Sequence, residues 1–266
     1  MEIQRNNPKI KYLRKLSRRQ FRQKEGKFFI EGIRFVEELL QSGWPVDALF
    51  YTVKLTESPR GAELLAKAQQ QNIDCWQIGA DTLKEVTATD NPQGVLAQLA
   101  MPRHQLADMM CATIKPLVVL VDGVQDPGNL GTIIRTADAM GVSGVVLLKG
   151  TADLYNPKTL RATMGSIFHL PIIVAAEVDE VMDFLQANNI KLAVGDPHAD
   201  VAVHEIDFTK PMAIVVGNEA NGPTLTTVSR AEIKATIPMP GNAESLNAAV
   251  ACSIMLYEAI RQRLVL

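Results

Sequence analysis

Three short stretches of this chain place charged and hydrogen-bonding side chains in turns rich in glycine and proline, each directly after an apolar run. The first is Asp122-Gly-Val-Gln-Asp-Pro-Gly-Asn-Leu-Gly-Thr-Ile-Ile-Arg135. Gly123, Pro127, Gly128 and Gly131 shape a tight loop, Asn129 falls near a helix start, and Arg135 follows about one and a half turns later. Taken alone, an asparagine there suits a plain helix cap, and the loop is as readily structural as functional. The second stretch is Val216-Gly-Asn-Glu-Ala-Asn-Gly222-Pro, where glycines let the backbone approach a ligand and Glu219 either caps a helix or holds a cation. The third is Ile237-Pro-Met-Pro-Gly-Asn-Ala-Glu-Ser-Leu-Asn247, a prolyl and glycyl turn that leads into a terminal helix with Ser245 as the simplest cap. None contains the dinucleotide fingerprint GxGxxG or the phosphate loop GxxxxGK followed by Ser or Thr, which counts against nicotinamide-dependent oxidoreductases and NTPases.

Other reactive side chains carry less. His198 and His204, with Asp196 and Asp200 nearby, fit no metal-ligand spacing and read as a polar loop, and His104 and His169 stand isolated. Cys75, Cys111 and Cys252 are too far apart for a disulfide framework or a zinc site and read as buried thiols. The ten methionines read as fillers of core gaps.

Positioning such residues takes a parallel sheet, because ligands bind beyond the carboxyl ends of its strands. Leu117 to Val121 is unbroken in its apolarity, as in strands covered on both faces, and Gly144 to Leu148, Pro171 to Ala175, Ile190 to Val194, Met212 to Val216 and Glu232 to Ile237 follow it. Helical patterns lie between most of these runs, and Ser245 to Arg263 reads as a long final helix with Leu246, Val250, Ile254, Leu256 and Ile260. Upstream, Phe28 to Ile30, Val46 to Tyr51, Ile73 to Ile78 and Gly94 to Leu99 alternate with helices over Ile33 to Gln41 and Ala62 to Gln71. The chain therefore divides into a small α/β sandwich at residues 1–100, a linker at 101–116 and a parallel α/β domain at 117–266.

With 47% hydrophobic and 21% charged residues among 266, the composition is that of a globular protein. No apolar run approaches the roughly 20 residues of a membrane span, and a cytoplasmic location is expected. The net charge of −2 hides an asymmetry: residues 1–34 hold eleven Lys and Arg against three acids. Lys9, Lys11, Arg14, Lys15, Arg18, Arg19, Arg22, Lys24 and Lys27 surround Ile10, Leu13, Leu16 and Phe21, a pattern that predicts one amphipathic helix with cations fanned over its outer face. Such a face attracts polyanions, nucleic acid foremost. A solubilising or membrane-surface helix is the alternative.

Taken together and in order, the motifs resemble the SpoU/TrmH family of S-adenosylmethionine-dependent RNA ribose methyltransferases. The resemblance rests on Asn129-x-Gly131-x-x-x-Arg135-Thr-Ala, Asn156-Pro-Lys-x-x-Arg161-Ala-x-Met-Gly165, Gly217-Asn-Glu219-x-x-Gly222 and Ile237-Pro-Met-x-Gly241-x-x-x-Ser245-Leu-Asn247. Phe29-Ile-Glu-Gly32 and Pro92-Gln-Gly94 extend it to a substrate-binding domain, while Ala248-Ala249 and Pro223 depart from the common pattern. The resemblance implies a deep trefoil knot in the C-terminal domain, where topology rules alone predict an unknotted doubly wound sheet. It also implies a homodimer, no metal, and methyl transfer to a ribose 2'-hydroxyl of RNA. Large-subunit ribosomal RNA is the preferred target; transfer RNA and a noncatalytic RNA-binding role are the alternatives. On this reading Asn129, Arg135, Glu219, Ser245 and Asn247 are catalytic. Gly217, Asn218, Glu219, Gly222, Ile237, Met239, Gly241, Ser245, Leu246 and Asn247 hold the donor. Lys9, Lys11, Arg14, Lys15, Arg18, Arg19, Arg22 and Arg161 meet RNA.

Overall fold

The computed structural model describes residues 2–87, 91–110 and 115–264, and the chain divides between Pro102 and Arg103 into two compact units. Cys111 lies outside the described residues; Cys75 is half-buried and Cys252 buried.

In the first unit the order is α1 (Pro8–Leu16), α2 (Arg19–Glu25), β1 (Lys27–Glu31), α3 (Ile33–Ser42), β2 (Val46–Tyr51), α4 (Val53–Thr56), α5 (Pro59–Gln70), β3 (Cys75–Gln77), α6 (Ala80–Thr87) and β4 (Val95–Ala100). The sheet runs β1-β4-β2-β3, with β4 antiparallel to both neighbours and β2 parallel to β3. The basic segment is two helices, not the single one its periodicity predicts. Asn7 caps α1 and Pro8 opens it, while Gly26 in the left-handed region ends α2. Ile10, Leu13 and Leu16 are wholly buried against Phe29, Phe50 and Leu83, so the stripe belongs to a core. At roughly 1.5–3 kcal/mol for each large apolar side chain fully buried, that stripe anchors the helix that carries Lys9, Lys11, Arg14 and Lys15.

The second unit contains β5 (Leu117–Asp122), α7 (Pro127–Ala139), β6 (Gly144–Leu148), α8 (Pro157–Thr163), β7 (Ile172–Ala176), α9 (Val178–Ala187), β8 (Lys191–Gly195), β9 (Val201–Ala202), β10 (Met212–Gly217), α10 (Leu225–Arg230), β11 (Ile233–Thr236) and α11 (Ala248–Leu264). Its sheet is parallel throughout, in the order β7-β6-β5-β10-β8-β11-β9. All six residues of β5 are buried, as its unbroken apolarity predicts. Residues 101–116, read as a linker, include a 3-10 turn at Leu106–Met110 whose Met109 is wholly buried in the core of this unit.

Late strands are laid between earlier ones: β10 enters between β5 and β8, and β11 between β8 and β9. This order is in keeping with the trefoil knot implied by the resemblance. The final helix packs on α7 and β10. Near its end Arg263 donates to the carbonyls of Lys115, Phe208 and Lys210, tying the helix to the entrance of β5 and the approach to β10. The buried face of α11 consists of Ala249, Cys252, Met255, Leu256 and Ala259 with Glu258, whereas Val250, expected inside, is half exposed.

Candidate functional site

Each motif loop begins where a parallel strand ends. Beyond β5 the chain turns into α7, and Asp126 is the cap: its Oδ1 accepts the Asn129 N–H at 2.8 Å, with Pro127 in the first helical turn. Asn129 is thereby freed from the capping role that its position also allowed. At α11 the cap is Asn247, whose Oδ1 accepts the N–H groups of Ala249 at 2.9 Å and Val250 at 3.3 Å. Ser245, the expected cap, lies two residues upstream and is exposed.

The loop after β10 is held by its own asparagine. Asn218 Oδ1 accepts the N–H groups of Ala220 and Asn221 at 3.0 and 3.1 Å, and Asn218 exchanges backbone hydrogen bonds with Gly222. A Cβ on Gly217 would stand 2.1 Å from the Pro223 nitrogen, so only glycine lets this loop fold back so tightly.

These loops then lock together. Asn129 Nδ2 donates to Glu219 Oε1 at 2.9 Å, and Asn247 Nδ2 donates to Asn129 Oδ1 at 2.9 Å. Glu219 also accepts the backbone N–H groups of Gln125 and Asp126 at 3.1 and 3.2 Å. Burial alone would raise its carboxyl, but the hydrogen bonds from Asn129 and those two amides prevail and hold it below the usual carboxylate range. Asn218 Nδ2 adds a bond to the Gly123 carbonyl at 2.9 Å.

Asp122, which is 1% exposed, ties the same two loops from beneath. Its Oδ2 accepts the N–H and the hydroxyl of Thr224 at 2.7 and 2.9 Å. The sequence reading did not single it out, although a carboxylate closing an otherwise apolar strand is a signal in itself.

Beside this junction lies a cavity of about 740 Å³, within the range of small-molecule sites. Gly217, Asn218, Glu219, Gly222, Ile237, Met239, Ser245, Leu246 and Asn247 line it, as the donor-site reading expects, while Gly241 does not. Its apolar wall is built from Val194, Val215, Ala235, Cys252 and Met255. Burial pushes the Cys252 thiol up to about 12, which keeps it a neutral wall group. Two stretches missed by sequence reasoning also line the cavity: Gly195 to His198 at the end of β8, the last three of them read as a polar loop, and Leu225 with Val228 on α10. Arg135 stands exposed on α7 and Arg161 exposed on α8, neither in the lining. Among the described residues no group of three or more His, Cys, Asp or Glu side chains is placed to hold a metal ion.

In the first unit, Lys9, Lys11, Lys15, Arg18 and Arg19 are exposed. Arg14 is partly buried and pairs with Glu85 at 2.8 Å. Arg22 departs from the reading that groups it with the outward cations. It is 4% exposed, and its Nη1 donates to the carbonyls of Leu16 and Ser17 at 2.9 and 2.8 Å, closing the end of α1. Its place is internal because the chain turns at Ser17 and brings α2 back under those carbonyls.

Residues 116–257 match the SpoU rRNA methylase family, and residues 7–97 match the MRM3-like substrate-binding domain. The 23S rRNA (guanosine(2553)-2'-O)-methyltransferase RlmP of Bacillus subtilis (strain 168) is 38% identical over 94% of this chain and 95% of its own length. The 23S rRNA (uridine(2479)-2'-O)-methyltransferase of Streptomyces viridochromogenes is 36% identical over 94% of this chain and 88% of its own. The crystal structure of the SpoU methyltransferase AviRb from the latter organism, in complex with the cofactor AdoMet, matches with a TM-score of 0.87 and 35% identity, covering 97% of this chain and 100% of that one. With more than half of its residues matched by one family and its motif loops joined at a single cavity, the chain belongs to the SpoU rRNA methylase family.

Proposed function

We propose that this protein transfers a methyl group from S-adenosylmethionine to a ribose 2'-hydroxyl of large-subunit ribosomal RNA. The observation that carries the reading is the hydrogen-bonded chain Glu219–Asn129–Asn247, which joins all three motif loops at the edge of the cavity. The cavity fits the donor: an apolar wall suits a purine, a tight glycine loop gives close backbone approach, and the Glu219 carboxylate supplies anionic character suited to a sulfonium. When bound, the donor supplies an activated methyl on that sulfonium.

The residues of the chain do the rest. Both ends of the Asn129 carboxamide are engaged, so its orientation is fixed before any substrate arrives. Glu219, ionised at neutral pH, pins the β10 loop onto the start of α7, and Asn247 fixes the entry to α11. Such prior alignment lowers the cost of reaching near-attack geometry. A 2'-hydroxyl attacks only as it gains alkoxide character, and Arg135 supplies a guanidinium on the helix whose first turn holds Asn129. Stabilising the oxyanion and a neighbouring phosphate suits a guanidinium better than proton abstraction. Ser245, exposed at the cavity rim, positions donor and nucleophile.

A homodimer belongs to the same reading. Val250, Tyr257 and Leu264 are 47%, 61% and 79% exposed at seven-residue spacing on α11, an apolar stripe with no cover in one chain. The helix bearing Arg135 packs against α11, so a partner on that stripe brings the two active regions together. Tyr257→Glu is expected to give monomers in sedimentation and to lose transfer; an unaltered dimer would remove this face as the interface. The exposed cations of the first unit suit RNA, and a ribosomal substrate accords with a cytoplasmic location. The test of the central reading pairs calorimetry with methyl transfer. Asn129→Ala and Arg135→Ala should keep the fold and donor affinity yet lose most transfer, and fully active variants would reject these roles. Transfer to tRNA in preference to 23S rRNA would redirect the substrate assignment.

A further inference from the structure

We propose that Asp196 is a specificity-determining residue for the donor, accepting a hydrogen bond from the hydroxyls of the donor's ribose. The inference rests on the cavity being the donor site and adds a contact on the strand farther from Asn129. Asp196 follows β8 directly, at the carboxyl end where parallel sheets present ligand-binding side chains.

Among the described residues two carboxylates line the cavity, Asp196 and Glu219. The Glu219 oxygens are committed to three N–H donors from the first motif loop. Asp196 commits one oxygen, Oδ1, to the His198 N–H at 2.9 Å, in a local turn that fixes the side chain; Oδ2 has no hydrogen bond to the described residues. The Asp196 backbone N–H is tied to the Ala235 carbonyl at 2.9 Å, so the loop is held against β11. The cavity thus presents one fixed carboxylate oxygen free to accept.

Position selects its partner among the N–H and O–H groups of the donor. Strand β8 lies two strands from β5 across β10, about 10 Å at ordinary strand spacing. The methyl must face the Asn129 and Asn247 side, beyond β5, while Val194, Val215 and Ala235 offer the purine an apolar seat around β8. The ribose joins sulfur to purine, so its diol falls between them, within reach of the β8 end. A carboxylate is the usual acceptor for such a diol because it takes two hydroxyls without a competing donor.

The test uses the full chain and calorimetry with S-adenosylhomocysteine, which is not turned over, its 2'-deoxy and 3'-deoxy counterparts, and 5'-methylthioadenosine, which lacks the amino acid. Wild type should bind the ribose compound about tenfold more tightly than at least one deoxy compound, the size of one hydrogen bond to a charged acceptor. Asp196→Asn keeps an acceptor for His198 N–H, and Asp196→Ala removes the side chain; both should bring that ratio below about threefold. An unchanged ratio, or equal weakening of all four ligands, overturns the proposal. So does a loss confined to the preference for S-adenosylhomocysteine over methylthioadenosine, which would make the ammonium the partner. If wild type binds none of the four, the donor-cavity reading itself fails, a result distinct from an unchanged ratio.

Discussion

At the scale of single residues, the site is a set of commitments. Asn129, Glu219 and Asn247 are satisfied by one another and by backbone amides, leaving little freedom in the geometry they impose. Glu219→Gln replaces an acceptor-only group by one whose amide must face donors, so the unfolding midpoint at pH 7 should fall and transfer should drop at least tenfold, as expected when three N–H donors lose a charged acceptor. The pH dependence has a definite sign. Because the folded-state pKa of Glu219 is lowered, its contribution is complete above the ordinary value of about 4.3 and is lost as pH falls through the folded value. Melting curves of the two proteins should therefore converge in acid; a gap that persists undiminished there would contradict this account. The sequence named Asn129, Glu219 and Asn247 through the family resemblance of the motifs that hold them. It could not say that Asp126 takes the cap and releases Asn129, because both side chains are cap-competent and only the turn geometry chooses between them. Asp196 and His198 went unrecognised for a similar reason: nothing in a polar loop shows that a strand ends beside a cavity.

At the scale of elements, the pattern of apolar runs fixed most strands to within a residue or two, since fully buried parallel strands leave an unbroken signature. Among what it missed were short pieces, α4 with four residues, β9 with two and α10 with six, which have too little length to show a period, and the eight-residue α6. It also misjudged part of the inside of α11: Leu256 is buried as expected, but alanines and a cysteine fill much of the packed face while Val250 is half exposed. Small residues also set the approach of α7 to α8. A Cβ on Gly131 would stand 2.4 Å from Ala162 Cβ and 2.7 Å from the Thr159 carbonyl oxygen. Alanine gains up to about 1 kcal/mol in helix propensity, but the clash is with backbone and a short side chain that cannot swing away. Overpacking of roughly 1–3 kcal/mol therefore prevails. Gly131→Ala should lower the melting temperature by a few degrees and, by tilting the helix that carries Asn129 and Arg135, reduce transfer further than it reduces donor binding. A variant as stable and active as wild type would show that the two helices have room to spare.

At the scale of the whole molecule, charge and chemistry occupy different parts of the chain: the cations concentrate in residues 1–34, and the cavity lies in the second unit. The surplus of positive charge was legible from counting, but its division into contact and support was not. Lys11 and Arg19 are exposed, whereas Arg22 closes the end of α1. Removing Lys11 or Arg19 should weaken RNA binding and reduce its salt dependence by about one counterion each, with no change in melting. Arg22→Ala should instead lower stability by roughly 1–3 kcal/mol by stripping buried carbonyls of their donor. An Arg22 variant that melts like wild type yet loses the same salt slope would return that residue to the RNA surface. The knot, the dimer and the identity of the RNA depend on how distant segments and second molecules meet, which local patterning does not encode. The most direct measurement follows labelled methyl from S-adenosylmethionine into deproteinised 23S rRNA, with the modified nucleoside identified by mass spectrometry for wild type and Asn129→Ala. A 2'-O-methylated nucleoside is expected with wild type and almost none with the variant at equal donor affinity. A label on a base, or equal transfer by both proteins, would contradict it.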